Sequence, residues 1–167
     1  MEQGNPGDLI ARAYAATYLF PVIITRSCNN YGLHQNKEKL IPRIISLALQ
    51  NKRLPLYGDG KQVRDWLHGE DHLAALEAVL FKGRPGEIYN IGGSNPISNI
   101  ELVKQILQRL DKPQSLITHV PDRLDHDVRY ALNFDKIAHK LGWQAKTGFA
   151  DGLQQTIEWY LDNKDRL

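Results

Sequence analysis

The stretch Tyr57-Gly-Asp-Gly-Lys-Gln-Val-Arg-Asp-Trp-Leu-His-Gly-Glu-Asp-His72 contains the signals of a turn, a strand and a helix start. Glycines on both sides of Asp59 predict a turn with backbone angles that other residues rarely adopt. Residues 63–67 predict a short strand, and Glu70 or Asp71 predicts a helix cap with acidic residues in the first turn. The residues before this segment lead into it, and those after it are expected to close over it.

Arg64 lies in the predicted strand, between the turn and Trp66. The guanidinium group carries its donors in a planar fork, so an arginine held between apolar residues at a strand edge suits the capture of a phosphate. A second interpretation of the same residues is an Arg64–Asp65 pair on the protein surface. The local sequence leaves both interpretations open.

The composition is that of an ordinary globular domain, with 42% hydrophobic and 24% charged residues in a chain of 167. The net charge of +2 is too small to indicate a nucleic acid or an anionic membrane as partner. No apolar run approaches the roughly 20 residues that span a bilayer, and the first residues lack an apolar signal core. Cys28 is the single cysteine, which excludes an internal disulfide and favours a reducing compartment. We therefore predict a soluble, cytoplasmic protein.

The histidines give little support for a metal site. Six are scattered along the chain, and only His68 and His72 suggest a pair four residues apart on a helix. His68 precedes the predicted helix start, so the two side chains would not share a helix face. We expect no bound metal.

Predicted strands alternate with predicted helices, which indicates an α/β architecture. The predicted helices cover residues 8–18, 40–51, 71–81, 99–110, 135–141 and 149–163, and the predicted strands cover residues 22–25, 54–57, 63–67, 87–91, 116–120 and 128–132. The strand at 22–25 is apolar without alternation, as in a parallel strand covered on both faces. Residues 26–32 are predicted as a polar loop at its carboxyl end, where open α/β sheets bind ligands.

Three sets of residues occur in a specific order and at specific intervals. They are Arg26-Ser-Cys-Asn-Asn-Tyr-Gly32 with Glu38-Lys-Leu-Ile-Pro42, Leu54-Pro-Leu-Tyr-Gly-Asp-Gly60 with Arg64-Asp-Trp-Leu67, and Glu87-Ile-Tyr-Asn-Ile-Gly-Gly93. Together they resemble the C-terminal, substrate-binding half of dTDP-glucose 4,6-dehydratases, which belong to the extended short-chain dehydrogenase/reductase family of NAD-dependent epimerases and dehydratases. The likeness runs from about Asp8 to Leu161.

This resemblance implies the C-terminal part of a Rossmann-like fold: an incomplete parallel sheet with a small α/β substrate-binding subdomain. Residues 1–167 would then form a single truncated domain with a flexible start at 1–6. Residues 7–32 and 87–93 would be the remnant of the Rossmann sheet. The remaining residues would form the substrate-binding subdomain.

The resemblance also implies a site for the diphosphate of a dTDP-sugar. Asn30 matches the residue that holds the pyrophosphate, and Arg64 and Arg123 match a diphosphate clamp with Asn90 beside it. His126 matches a position near the nucleotide. Two forked arginines with amide donors suit the oxygens of a diphosphate. From the residues alone, Asn30 could instead satisfy backbone groups at a strand end, and His126 could be an exposed histidine.

Four further positions match contacts to the nucleotide. Lys39 and Leu40 match positions that line it, and Pro55 and Tyr57 match contacts to the thymine and the deoxyribose. An aromatic ring such as that of Tyr57 suits the face of a base. Without the resemblance, Tyr57 would be interpreted as a core residue and Lys39 as a solvated lysine.

Ser27 and Cys28 match positions where the nicotinamide ring of NAD lies in the family. From the residues alone, Cys28 is more typical of a small buried side chain than of a nucleophile. The sequence has no G-x-x-G-x-x-G turn after an N-terminal strand. In the family, the catalytic Tyr-x-x-x-Lys pair comes just before the helix that matches residues 8–18, and its lysine would fall on Gly4. We therefore predict no catalytic residue in this chain, no activity of the chain alone and no cofactor bound to it alone.

The strand at 22–25 would lack a neighbour on one side, and such an open apolar edge promotes association. In the family, the helix that matches residues 8–18 also contributes to a dimer interface, so we expect a homodimer or a higher oligomer. Three alternatives stay open. The chain could be an interaction or regulatory module that has lost its ligand, which Asp125 beside the clamp would favour. It could be one chain of a split dehydratase with an N-terminal partner chain. It could also be a remnant or a trimmed piece.

Overall fold

A computed structural model of the chain describes residues 6–122, 124 and 127–167. Three residues named above lie outside the described residues. They are Arg123 and His126, which are predicted ligand contacts, and Asp125, which would lie beside the clamp. The helices are α1 (Pro6–Tyr18), α2 (Leu40–Leu49), α3 (Gly69–Lys82), α4 (Asn99–Arg109), α5 (Asp135–Leu141) and α6 (Phe149–Asp162). The strands are β1 (Ile24–Ser27), β2 (Asn29–Tyr31), β3 (Leu54–Tyr57), β4 (Val63–His68), β5 (Ile88–Ile91), β6 (Pro96–Ser98), β7 (Ile117–Val120) and β8 (Arg129–Tyr130). Short 3-10 turns occupy Gln114–Leu116 and Lys164–Arg166.

Strand β4, the centre of the opening stretch, joins more strands than any other described strand. Its carboxyl-terminal half pairs in parallel with β2, while its amino-terminal half pairs antiparallel with β6 and parallel with β8. Two further pairs, β1 with β5 and β3 with β7, are parallel. The glycine turn before β4 is also as predicted, because Gly58 and Gly60 have φ values of +57° and +74°.

Two apolar clusters form the core, and β4 separates them. One packs α2, α4 and α6 against β2, β3 and β4 and includes Trp66. The other packs α3 and α5 against β5 and includes Leu67. Successive side chains of a strand point to opposite faces, so these neighbours enter different clusters. The residues before and after β4 thus fold onto its two faces.

Local signals explain several element ends. The Ser98 hydroxyl accepts a hydrogen bond from the Glu101 N–H and caps α4. Pro42 lies in the first turn of α2, where a missing N–H costs nothing. The predicted cap of α3 is wrong, because that helix begins at Gly69 and His68 occupies the N-cap position. His68 thus precedes the helix, as the sequence suggested.

The prediction of a polar loop over residues 26–32 is also wrong. Strand β1 extends to Ser27 and β2 begins at Asn29, so only Cys28 separates the two strands. The Cys28 N–H donates to the Ile91 carbonyl at 3.0 Å, which continues the pairing of β1 with β5 by one residue. A sequence rich in asparagine disfavours a strand, and pairing with β4 overrides that preference here.

Helix α1 stands apart from both clusters, because none of its residues is buried. Leu9, Ile10, Tyr14 and Tyr18 are all more than half exposed. The Asp8 carboxylate and the Arg26 guanidinium form an ion pair at 2.7 Å that ties the helix to β1. No helix in the described part of the chain is long and apolar enough to cross a membrane.

Candidate functional site

A cavity of about 380 Å³ opens where β2 and β4 lie side by side. Pairing of Asn29 with Trp66 and of Asn30 with Leu67 fixes the register of the two strands there. The lining residues come from β2, from the segment that leads into α2, and from β4; they are Asn29, Asn30, Gln35, Lys39, Leu40 and Trp66. The structure thus brings Asn30, Lys39 and Leu40, three of the predicted contacts, into one cavity.

The amide group of Asn30 is held at both ends. Its Oδ1 accepts a hydrogen bond from the Ser27 hydroxyl at 3.1 Å, and its Nδ2 lies 2.8 Å from Nδ1 of His72 in the first turns of α3. The Gln35 side chain donates to the Asn30 carbonyl at 2.8 Å and so fixes the backbone as well. The Asn30 side chain therefore has a defined orientation at the wall of the cavity. It bonds to two side chains, so the alternative in which it only satisfies backbone groups is wrong.

Two polar atoms of the cavity residues are buried without a partner among the described residues. They are Nε1 of Trp66 and Oε1 of Gln35, a donor and an acceptor. Lys39 contributes an exposed side chain to the same wall. The cavity residues thus offer an ammonium group, amide groups and an indole N–H, which together suit a ligand rich in oxygen atoms.

Arg64 does not form the surface pair with Asp65. Its Nη1 donates to the carbonyls of Val63 and Asp127, at 2.8 and 2.9 Å, and both contacts hold the guanidinium near β8. The described contacts use only Nη1, so the donors on Nε and Nη2 remain for an anion. In register, Arg64 lies opposite Tyr130, whose hydroxyl reaches the Ser27 carbonyl at 3.4 Å. Arg64 and Asn30 are thus linked through Tyr130 and Ser27.

Asp65 is a buried carboxylate that the sequence interpretation missed. Its two oxygens accept hydrogen bonds from the backbone N–H groups of Gly93, at 2.8 Å, and Asn95, at 2.7 Å. These bonds hold the turn between β5 and β6 against β4. An aspartate next to an arginine in a strand gives no sequence signal that distinguishes this role from a surface pair.

Asn90 lies on β5, opposite Arg26 of β1. Its Nδ2 donates to the Asn133 carbonyl at 2.9 Å, and its Oδ1 is buried without a partner among the described residues. None of the contacts found for Asn90 joins it directly to Asn30 or Arg64. Its predicted place beside the diphosphate stays a prediction.

Pro55 and Tyr57 lie on β3, and neither lines the Asn30 cavity. Tyr57 is opposite Val120 at the end of β7, while the Arg64 guanidinium contacts Asp127. The segment between these two points contains the predicted residues Arg123 and His126. One end of that segment thus lies beside Tyr57, and the other end lies beside Arg64.

Cys28 is a buried thiol and not an ionised nucleophile. Burial, and then the negative charge of Asp65, raise the pKa of the Cys28 thiol to about 12. Ser27, the other predicted cofactor neighbour, directs its hydroxyl to Asn30 and to the Cys28 carbonyl. Neither residue lines the cavity; Ser27 supports Asn30 from behind it, and Cys28 belongs to the core.

Asp71 connects α3 to the entry of α6. Its carboxylate accepts hydrogen bonds from the N–H groups of Lys146, at 3.1 Å, and Thr147, at 2.8 Å. Burial alone would raise the pKa of Asp71, but these backbone bonds outweigh it and hold the pKa below the ordinary value. Among the described residues, no group of three histidine, cysteine or acidic side chains is placed to hold a metal ion.

Comparison with protein families and known proteins gives consistent matches. Residues 6–156 match the family model described as GDP-mannose 4,6 dehydratase. The dTDP-glucose 4,6-dehydratase of Haemophilus influenzae is 52% identical over 165 residues, which cover 92% of this chain and 49% of that protein. The enzyme of the same name from Streptomyces niveus is 45% identical, with 95% of this chain and 47% of that protein covered.

Solved structures give the same result. The dTDP-glucose 4,6-dehydratase of Bacillus anthracis, in complex with NAD, matches with a TM-score of 0.91 and 48% identity, covering 97% of this chain and 54% of that one. The enzyme of the same name from Streptomyces venezuelae, also with NAD bound, matches with a TM-score of 0.93 and 47% identity, covering 95% of this chain and 49% of that one. The predicted resemblance and the Rossmann-like α/β fold are confirmed. The chain spans about half the length of the relatives it matches.

Proposed function

The chain belongs to the GDP-mannose 4,6-dehydratase family, and from this we propose that it forms the sugar-nucleotide-binding part of a dTDP-glucose 4,6-dehydratase. The observation that carries this proposal is the cavity in which Asn30, Lys39 and Leu40 converge. In this division, residues 7–32 and 87–93, with α1, β1, β2 and β5, are the Rossmann-sheet part, and the remaining elements are the substrate-binding part. The ligand is a dTDP-sugar.

The charged and amide groups of the site suit the diphosphate of such a ligand. A nucleotide diphosphate sugar carries about two negative charges, which pair well with a forked guanidinium and an ammonium group. Arg64 supplies the fork, Lys39 supplies the ammonium group, and Asn30 supplies an amide N–H. Arg123 is proposed to complete the diphosphate clamp and His126 to lie near the nucleotide, while Pro55 and Tyr57 contact the thymine and the deoxyribose.

The residues of this chain do not by themselves form an NAD site. Family members bind the dinucleotide at a glycine-rich turn that leads from a strand into a helix. Gly92 and Gly93 follow β5, but they lead into β6, and the Gly93 N–H donates to Asp65. Position 4, where the lysine of the family's Tyr-x-x-x-Lys pair would fall, is a glycine. We therefore propose that the chain binds a sugar nucleotide without converting it when it is alone.

Calorimetric titration of the 167-residue chain tests this function. We expect binding of dTDP-glucose and of dTDP, and no heat from glucose alone, because the diphosphate groups carry most of the interaction. A thermal-shift measurement with the same ligands provides an independent reading. Absence of binding by any dTDP compound would overturn the proposal.

A second function, assembly through α1, is favoured by the exposure of that helix. A helix of 13 residues without buried side chains is marginal in water, and Leu9, Ile10, Tyr14 and Tyr18 present an apolar surface. Strand β1 pairs only with β5 in the described part of the chain, so its other edge adds to this surface. We propose that a second copy of the chain covers it and forms a homodimer.

Light scattering behind a sizing column tests the assembly. We expect a dimer for the natural chain and a monomer for Tyr14→Glu, because a charge at the centre of the apolar surface opposes association. Leu124→Glu is a matched control, since Leu124 is exposed but distant from α1 in sequence. A monomer for the natural chain would contradict the homodimer and direct attention to a complementary N-terminal-half chain as partner.

A further inference from the structure

Within the proposed function, we infer that His72 is a positioning residue that sets the direction of the Asn30 amide toward the ligand. His72 is not among the matched contact residues, and it lies on α3, outside the segments that line the cavity. Its role would be to determine whether the amide nitrogen or the amide oxygen of Asn30 faces a phosphate oxygen. This inference rests on the proposed binding of a sugar nucleotide.

The geometry around Asn30 fixes one orientation. Nδ2 of Asn30 lies 2.8 Å from Nδ1 of His72, and Oδ1 of Asn30 accepts from the Ser27 hydroxyl at 3.1 Å. An amide nitrogen carries two hydrogens, and His72 accepts only one of them. The second hydrogen has no partner among the described residues and can be donated to a ligand.

This arrangement requires a neutral His72 with its proton on Nε2. Only an unprotonated Nδ1 can accept a hydrogen bond from an amide. Burial, the sole cause found, lowers the pKa of His72, which keeps the ring neutral near pH 7. The side chain is therefore an acceptor under ordinary conditions.

Loss of this acceptor would release the amide to turn. The hydroxyl of Ser27 can donate to the Cys28 carbonyl, at 3.0 Å, instead of to Asn30. The Asn30 amide could then rotate by half a turn, with its nitrogen donating to the Ser27 hydroxyl. Its oxygen would take the place that the nitrogen now occupies. One N–H donor would thereby be replaced by an acceptor, which repels a phosphate oxygen.

Titration of dTDP-glucose into four variants tests the inference. We expect His72→Leu to weaken binding about 10-fold, within the range of one hydrogen bond to a charged group. His72→Gln keeps an acceptor oxygen and is expected to restore most of the affinity. In an Asn30→Ala background, His72→Leu is expected to have no further effect, because both substitutions remove the same interaction. His139→Leu, at an exposed position on α5, is the control and should bind as the natural chain does.

The outcomes separate this inference from the proposed function. Two results would overturn the positioning role alone. One is natural affinity in a folded His72→Leu variant; the other is an equal loss of affinity from His72→Leu in the natural chain and in the Asn30→Ala variant. If His72→Leu does not fold, His72→Gln and the nitrogen shifts of the His72 ring in the natural chain replace it. A ring with its proton on Nδ1 would contradict the inference. No binding by the natural chain would overturn the proposed function together with the ligand role of His72.

Discussion

The carboxylate of Asp65 on β4 accepts the backbone N–H of Gly93 at 2.8 Å, so a buried charge closes the turn between β5 and β6. The second oxygen accepts the N–H of Asn95, and the Asp65 residue is only 2% exposed. Because Arg64 is the residue before Asp65, the same strand carries the side chain that we propose binds the diphosphate and the group that fixes the neighbouring turn. The position of Arg64 therefore depends on Asp65 through the backbone of β4.

Replacement of Asp65 tests this dependence. Asp65→Asn removes the charge and places an amide nitrogen, itself a donor, against one of the two N–H groups of the turn, so we expect the free energy of unfolding to fall by about 1.5–3 kcal/mol. Urea unfolding followed by circular dichroism measures it. Asp59→Asn is the control, because Asp59 is exposed and pairs with Lys61 on the surface; its effect should be within about 0.5 kcal/mol. Equal effects of the two substitutions would contradict the structural role of Asp65.

The contacts of Asp71 predict a dependence of stability on acid. Its pKa in the folded chain lies below the ordinary value of 3.8, since the N–H groups of Thr147 and Lys146 favour the carboxylate. The stabilisation is therefore present above the ordinary pKa and is lost as the pH falls through the folded pKa. Urea unfolding between about pH 5 and pH 2 should show a steeper loss for the natural chain than for Asp71→Asn. If the free energy of unfolding fell equally with pH for both proteins, Asp71 would not contribute to the acid dependence of stability.

Burial of Cys28 predicts slow alkylation. With a pKa of about 12, only about one thiol in ten thousand is ionised at pH 8, and the side chain is buried as well. Iodoacetamide should modify the folded chain far more slowly than the same chain in urea, as measured by mass spectrometry. Similar rates in the two conditions would exclude a buried, protonated thiol.

Substitution of Arg64 tests the proposed diphosphate contact. Arg64→Ala should weaken binding of dTDP-glucose by about 1.5–3 kcal/mol, the range for a hydrogen bond to a charged group. Arg64→Lys keeps the charge but loses the planar fork, so we expect an intermediate affinity. Arg84→Ala removes an exposed arginine outside the site and is the control. Natural affinity in Arg64→Ala would remove Arg64 from the proposed contacts.

Sequence reasoning predicted the long elements and missed what depends on tertiary contacts. Helices α2, α4, α5 and α6 follow their apolar periodicity, so their starts agree with the prediction and their ends to within two residues. Strands β2 and β6 have three residues each, too few for a periodic signal, and exist because β4 pairs with them. Asp65 and Asp71 were interpreted as polar surface or cap residues, since only the fold shows that distant N–H groups surround them.

The predicted site shows the same division. The resemblance implies ligand contacts for Asn30, Lys39 and Leu40, and the structure places all three at one cavity. Their contact with a ligand stays a prediction. His72 was considered only for a metal, because its contact with Asn30 joins residues 42 positions apart. A single sequence gives no indication that two residues so far apart are in contact, and the hydrogen bond is seen only in the folded chain.

The central claim, that a sugar nucleotide binds in the Asn30 cavity, is tested most directly by the indole N–H resonances of the three tryptophans. Trp66 lines the cavity, whereas Trp143 and Trp159 lie beside other surfaces of the chain. On addition of dTDP-glucose, we predict a saturable shift of the Trp66 resonance and unchanged resonances for the other two. No change at Trp66, or a shift confined to Trp143 or Trp159, would contradict the account.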